Sequence, residues 1–163
     1  MINSRVEHKE HKELLDEVRQ IAYQLHLYLG IGMLEKVYEN GLKHRLELAG
    51  HKVEAQKPLK VYDRDGFELG EYFVDLYVDN CLIIELKATK SIVAEHLAQT
   101  LNYLSIMKHE VAMLINFGSY KFECRSVVNS HTGNGRVEHK DRKEIPLCSL
   151  RSTRLNNSPD LHG

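Results

Sequence analysis

Leu14, Leu15, Val18, Ile21, Ala22 and Leu25 recur at helical spacing between Lys12 and Leu29, and an apolar stripe of that period predicts an amphipathic first helix. Gly30 and Gly32 interrupt it. A second helical pattern carries Leu34, Val37, Tyr38, Leu42 and Leu46, with Gly50 placed as its carboxyl-terminal stop. Three strand patterns follow, over Val53–Tyr62, Glu71–Val78 and Leu82–Lys87. The turn compositions between them, Asp63-Arg64-Asp65-Gly66 and Asp79-Asn80, predict an antiparallel meander. Helical spacing returns from Ser91 to Met107 through Ile92, Leu97, Leu101 and Leu104. Val111–Phe117 is an apolar run of buried-strand length, and Lys121–Val128 is expected to pair beside it.

Beyond Val128 the apolar periodicity ends and His, Thr, Gly, Asn, Arg and Ser take over. The pattern therefore predicts one domain over residues 1–128 and a mobile polar tail over residues 129–163. Arg136-Val137-Glu138-His139-Lys140 repeats Arg5-Val6-Glu7-His8-Lys9 residue for residue. Two distant copies are too few for a solenoid, and the repeat has no physical account.

Against this pattern, three charges stand out: Asp75, and ten residues on the unit Glu85-Leu86-Lys87, each inside an apolar strand. Charge in a strand interior is costly to desolvate unless paired or bound to metal. In the second strand Phe73, Asp75 and Tyr77 alternate with Val74, Leu76 and Val78. In the third, Ile83, Glu85 and Lys87 alternate with Leu82, Ile84 and Leu86. Aligning the apolar faces requires Asp75 to lie across from Glu85, because a one-residue slip inverts every side chain. That register excludes a two-residue Asp79-Asn80 turn and predicts a three-residue loop including Cys81, or a bulge. Two facing carboxylates repel. A hard divalent cation, magnesium or manganese, resolves the repulsion, with the main-chain carbonyl of Leu86 as a further oxygen and Lys87 beside it. From the strands alone, an ion-pair ladder on the solvent face of a half-buried sheet accounts for the same charges.

Composition narrows the classes. A chain of 163 residues, 42% apolar, is long enough to bury a hydrophobic core. No apolar run approaches the roughly 18 residues of a membrane span, and the amino terminus lacks the apolar stretch of a secretory signal, so the expected location is cytoplasmic, without membrane association. Cys81, Cys124 and Cys148 are widely spaced with no Cys-x-x-Cys pair, which argues against a disulfide framework or zinc ribbon. They are expected as reduced thiols in packed positions. Half of the histidines, His8, His11, His131, His139 and His162, lie near the ends in polar sequence and are expected to be solvated. With 22 Lys and Arg against 23 Asp and Glu, the chain has no basic footprint of the kind that dominates nucleic-acid affinity. A pure binding module suits that balance less well than an enzyme whose acidic site is neutralised by a metal.

Two further constellations change the weighting. Gly32-x-x-Glu35-x-x-Tyr38 opens the second helix with an acid and a tyrosine on one face, and His96-x-x-Gln99-x-x-x-Tyr103 lies on the helix after Lys87. Together with Asp75, Glu85-Leu86-Lys87 and Leu114-Ile115-Asn116-Phe117-Gly118, this ordered set resembles the GxxExxY family of the PD-(D/E)XK nuclease superfamily over about Leu14 to Val128. The resemblance implies an α/β (α+β) fold with a restriction-endonuclease-like core, a mixed central β-sheet flanked by helices in the order α-β-β-β-α-β. It implies Asp75 and Glu85 as metal ligands, Glu35 as an added acid beside them, and Lys87 as the catalytic lysine. Tyr38, His96, Gln99 and Tyr103 are expected to support the site or substrate. The function so implied is hydrolysis of nucleic-acid phosphodiester bonds, read as DNA, by a water activated by magnesium or manganese. The competing expectation, from a different class, is a non-catalytic binding or regulatory module that keeps the fold and its acidic pocket.

Overall fold

The computed structural model describes residues 4–129, with side chains from residue 11 onward. Two helices come first, α1 (Ser4–Leu29) and α2 (Glu35–Leu48), then strands β1 (Val53–Tyr62), β2 (Glu68–Val78) and β3 (Leu82–Lys87). Helix α3 (Ala94–Met107), strand β4 (Val111–Asn116) and strand β5 (Glu123–Val128) complete the described chain. The expected tail and the second copy of the pentapeptide repeat lie outside the described residues.

The five strands form one mixed sheet in the order β1-β2-β3-β4-β5. Neighbours are antiparallel except β3 and β4, which run parallel with Glu85 beside Leu114 and Lys87 beside Asn116. A parallel pair needs a crossover, and α3 supplies it. The expected meander and the added β5 pairing are both present, within the α+β architecture that the motifs implied.

Apolar side chains cover the sheet on both faces. On one, Leu14, Val18, Ala22 and Leu25 of α1 and Tyr38, Leu42 and Leu46 of α2 pack with Leu76, Val78, Leu82, Ile84, Leu86, Met113 and Ile115. On the other, Tyr103 and Leu104 of α3 pack with Val74, Tyr77, Ile83, Ala112 and Leu114. The sheet is thus flanked by helices as the motifs implied, and the alternative of a half-buried sheet with one solvated face does not hold. Central strands flanked by helices on both sides read as near-continuous apolar runs, and β4 does so. Helices α1 and α2 cross closely because Gly41 presents only hydrogen to Leu25; a Cβ there would lie 3.0 Å from a Leu25 methyl.

The boundaries differ from the sequence pattern at three places. Helix α1 begins at Ser4 instead of Lys12, through about two largely polar turns in which Val6 alone is apolar and no apolar spacing betrays the helix. Strand β2 begins at Glu68, because the hairpin ladder continues to Tyr62 opposite Glu68. Helix α3 begins at Ala94 instead of Ser91, since Val93 is extended and its N–H is taken by the His96 ring at 3.3 Å. Gly50 stops α2 as expected, with φ 97 and an N–H donated to the Glu47 carbonyl at 3.0 Å. Of the three cysteines expected in packed positions, Cys81 is buried and Cys124 is a partly buried free thiol, while Cys148 lies outside the described residues.

Candidate active site

The ladder between β2 and β3 contains Leu76 with Ile84, Tyr77 with Ile83 and Val78 with Leu82, and there it stops. Its register is the one that carries Asp75 across from Glu85. The connecting turn is the three-residue Asp79–Cys81, with Asp79 and Asn80 at φ 51 and 58 and the Cys81 N–H donated to the Val78 carbonyl at 3.0 Å. Where the ladder ends, a side chain continues it: Asp75 Oδ2 accepts the Leu86 N–H at 2.7 Å.

Glu85 and Lys87, two apart on β3, share a face, and Lys87 Nζ donates to Glu85 Oε1 at 2.7 Å. The other oxygen of Glu85, Oε2, is buried with no hydrogen-bond partner among the described residues, in a side chain only 3% exposed. Glu35 reaches the same place from the first turn of α2, a position that favours an acid through the helix dipole, and Oε2 accepts the Ala88 N–H at 3.2 Å. The exit of β3 is fixed from the other side by Asn116, whose Oδ1 accepts the N–H groups of Thr89 and Gly118, each at 3.0 Å. Gly118 is required there, because a Cβ would lie 2.3 Å from the Thr89 nitrogen.

Sequence reasoning missed two residues that join this cluster. Glu39, one helical turn after Glu35, is 4% exposed and pairs with Lys36. Gln56 of β1 donates its amide to Glu39 Oε2 at 2.7 Å and to Asp75 Oδ1 at 3.3 Å. The spacing of Glu35 and Glu39 was a legible sign of a shared face; nothing local marked Gln56.

Three acids around Lys87, namely Glu35, Asp75 and Glu85, disfavour full ionisation. Burial, then the charge of Asp75, raise Glu85 to about 8, so this carboxyl holds a proton near neutral pH. Burial likewise raises Asp75, against the stabilising Leu86 N–H, and raises Glu35, against the attraction of Lys87. For Lys87 burial works against the ammonium, but the hydrogen bond and charge of Glu85, with Glu35 and Asp75 behind them, outweigh it and raise its pKa. Lys87 therefore stays cationic, suited to binding negative charge and unsuited to accepting a proton.

The four remaining candidates divide. Tyr38 is fully buried, stacked on Phe117 with ring centroids 4.7 Å apart; its hydroxyl donates to the Gly30 carbonyl at 2.8 Å and accepts the Met33 N–H at 3.2 Å. It thus ties down the segment leading into Glu35. His96 holds the start of α3 and accepts Val93 N–H, and no bond joins it to the acids. Gln99 donates to the Tyr103 hydroxyl at 2.8 Å. Tyr103 lies close enough to the acids that, after burial, the charges of Glu85 and Asp75 raise its pKa. Gln99, Tyr103 and Tyr72 line a cleft of about 480 Å³ between α3 and the β1–β2 hairpin.

Among the described residues no three His, Cys, Asp or Glu side chains converge as a metal group. The donor set expected from the sequence has two carboxylates and a main-chain carbonyl, however, and the third acid, Glu35, is tied to Ala88. A buried unpartnered oxygen on Glu85 and three acids raised by burial and mutual repulsion are the conditions a hard divalent cation relieves. The residues present fit such an ion.

Neither the curated proteins nor the solved structures provide a match to the chain. A family model does: that of the PD-(D/E)XK nuclease superfamily matches residues 12–127, from α1 to the last residues of β5. By that match, which takes in most of α1, all of α2, the sheet up to Val127 and the acidic cluster, the chain belongs to the PD-(D/E)XK nuclease superfamily.

Proposed function

We propose that the chain is a nuclease of the GxxExxY branch that hydrolyses DNA phosphodiester bonds with magnesium or manganese held by Asp75, Glu85 and the Leu86 carbonyl, with Glu35 beside them. The observation that carries the proposal is the orphaned Glu85 Oε2, buried across the strand gap from Asp75 with the cationic Lys87 on its other oxygen. A plain ion-pair ladder leaves no carboxylate oxygen buried and unpaired.

A divalent cation at these oxygens supplies positive charge to the phosphate and acidity to a water. The chain's own groups do the rest. Lys87, cationic throughout the neutral range, is placed to donate to a phosphate oxygen as negative charge accumulates on it, a contribution of the kind that is worth about 10²–10³ in rate. It must exchange part of its bond to Glu85 for the substrate. Glu35 and Asp75 are held by Ala88 and Leu86 N–H groups, which fixes their directions before substrate arrives. The cleft lined by Tyr72, Gln99 and Tyr103 is the approach for a strand, with Tyr103 joining cleft to acids.

The test is manganese-dependent cleavage of single-stranded, duplex and branched DNA and of RNA, with Asp75→Ala and Lys87→Ala in parallel. The proposal expects cleavage of at least one DNA form, abolished in Asp75→Ala and at least about 10²-fold lower in Lys87→Ala. Cleavage retained in both assigns the activity to a contaminant and overturns the proposal.

A further inference from the structure

Gln56 is the member of the cluster for which the chemistry above has no use. It lies inside β1 yet its backbone is left-handed, φ 52, a conformation that an L residue adopts at a cost and a glycine adopts freely. Its side chain is exposed, so no core packing requires it. The hairpin register pairs Ala55 with Leu76 and Lys57 with Val74, which sets Gln56 across from Asp75 without a ladder pair of its own.

At the same point the hairpin changes faces. Ala55 and Leu76 pack into the core beneath α1 and α2, whereas Leu59 and Val74 pack beneath α3. The left-handed residue makes that change of face, and glycine would make it at least cost. What glycine lacks is the amide. Asp75 Oδ2 is fixed by Leu86 and Oδ1 by Gln56, so the two hydrogen bonds set the plane of the carboxylate and leave each oxygen a further lone pair. The same amide donates to buried Glu39, whose charge otherwise bears on Asp75. A neutral donor does this without cancelling the negative charge that a cation needs, as a lysine or arginine would.

We infer that Gln56 is a positioning residue that holds Asp75 in its cation-binding orientation, and that the backbone strain at this residue is retained for the sake of its side chain. The inference rests on the reading of Asp75 as a metal ligand.

Gln56→Ala keeps the strain and removes the amide; Gln56→Gly removes both. Manganese binding by calorimetry, melting in chelator, and cleavage kinetics are measured for both variants, wild type and Asp75→Ala. Gln56→Gly is expected to melt about 2–4 °C above Gln56→Ala, the shift produced by relief of about 1 kcal/mol in a chain of this size. Both variants are expected to bind manganese at least about tenfold more weakly and to lose kcat with KM for DNA unchanged, since an orienting hydrogen bond of this kind supports affinity by that factor or more. A Gln56→Gly chain that binds and cleaves like wild type reduces Gln56 to a backbone kink and overturns the inference, as does unchanged manganese affinity in Gln56→Ala. Either result, with wild type binding manganese and Asp75→Ala not, leaves the proposed function standing. A wild-type chain that takes up no manganese overturns both.

Discussion

The Asp75 carboxylate accepts the main-chain N–H of Leu86 at 2.7 Å, at the point where the β2–β3 ladder has run out of backbone pairs. One oxygen thus serves the fold, and the other accepts the Gln56 amide, which also donates to Glu39. Asp75→Asn can keep the acceptor while removing the charge; Asp75→Ala leaves a Leu86 N–H without its partner, a loss of about 1–3 kcal/mol for a buried group. Asp75→Asn is expected to melt at or above the wild-type temperature in chelator, because the repulsion that raises Glu85 is gone, and to cleave no DNA. Asp75→Ala is expected to lose both stability and activity. Melting curves beside cleavage assays separate the two; equal destabilisation by both variants would contradict the division of labour between the carboxylate oxygens.

Glu85 gives the metal-free protein a pH dependence of definite sign. Its folded pKa, about 8, stands above the ordinary carboxyl value of 4.5, so the folded chain binds the extra proton. The stabilisation is fully present below about pH 4.5 and is lost as pH rises through about 8. Lys87 is also raised, but its loss begins only above the ordinary lysine range and lies outside this window. Relative to Glu85→Gln, wild type in chelator is expected to lose melting temperature steadily between pH 5 and about pH 8.5. Parallel curves for the two proteins would show that Glu85 is not the buried acid described.

Cation binding should compete with that proton. A carboxylate ligand must be ionised to bind, so manganese affinity is expected to rise about tenfold per pH unit up to about pH 8 and then level off. Calorimetry near pH 7 in two buffers of different ionisation enthalpy counts the proton released; wild type is expected to release close to one, and pH-independent affinity would exclude Glu85 as the titrating ligand.

Tyr38 acts through the segment before Glu35. Tyr38→Phe keeps the stack on Phe117 but deletes the bonds to Gly30 and Met33. A loss of about 1 kcal/mol, seen as a fall of about 2–4 °C in melting temperature, is expected, with a partial loss of cleavage because Glu35 is less firmly placed. An unchanged melting temperature would mean that the hydroxyl is not buried against these groups.

Gly118 guards the geometry of Lys87 from behind. The Cβ of Gly118→Ala would meet Thr89 backbone at 2.3 Å and Ala88 backbone at 2.4 Å, where no side chain can give way. A shift of the β3 exit costing about 3 kcal/mol or more is expected, an overpacking penalty with few routes of relief. Denaturant melts measure it; a cost below about 1 kcal/mol would contradict the close approach.

Much of this arrangement was legible in the chain. The alternation of Asp75 and Glu85 with apolar neighbours fixed their register and, through it, the length of the Asp79–Cys81 turn. Glycine chemistry gave the end of α2. What stayed hidden depends on contacts between distant segments. The left-handed Gln56 has no local signature, since an exposed glutamine in a strand pattern looks like any solvent-facing position. The change of face at Asp75 broke the simple period-two reading of Val74 with Leu76. Burial of the sheet on both sides followed from the motifs and the all-apolar β4, whereas the charges of β2 and β3, read alone, suited a solvated face equally well. In Gln99 and Tyr103 the spacing showed a shared helix face, while their mutual bond and their cleft required the β1–β2 hairpin to lie opposite.

The most direct measurement is cleavage of labelled single-stranded, duplex and branched DNA in manganese by wild type, Asp75→Ala and Lys87→Ala, each shown by melting to be folded. Wild type is expected to turn over, Asp75→Ala not at all, and Lys87→Ala at a rate at least about 10²-fold lower, the loss expected when a donor to developing phosphate charge is removed. A folded wild-type chain that binds DNA equally well with and without Asp75, and cleaves none of these forms, would contradict the proposed function.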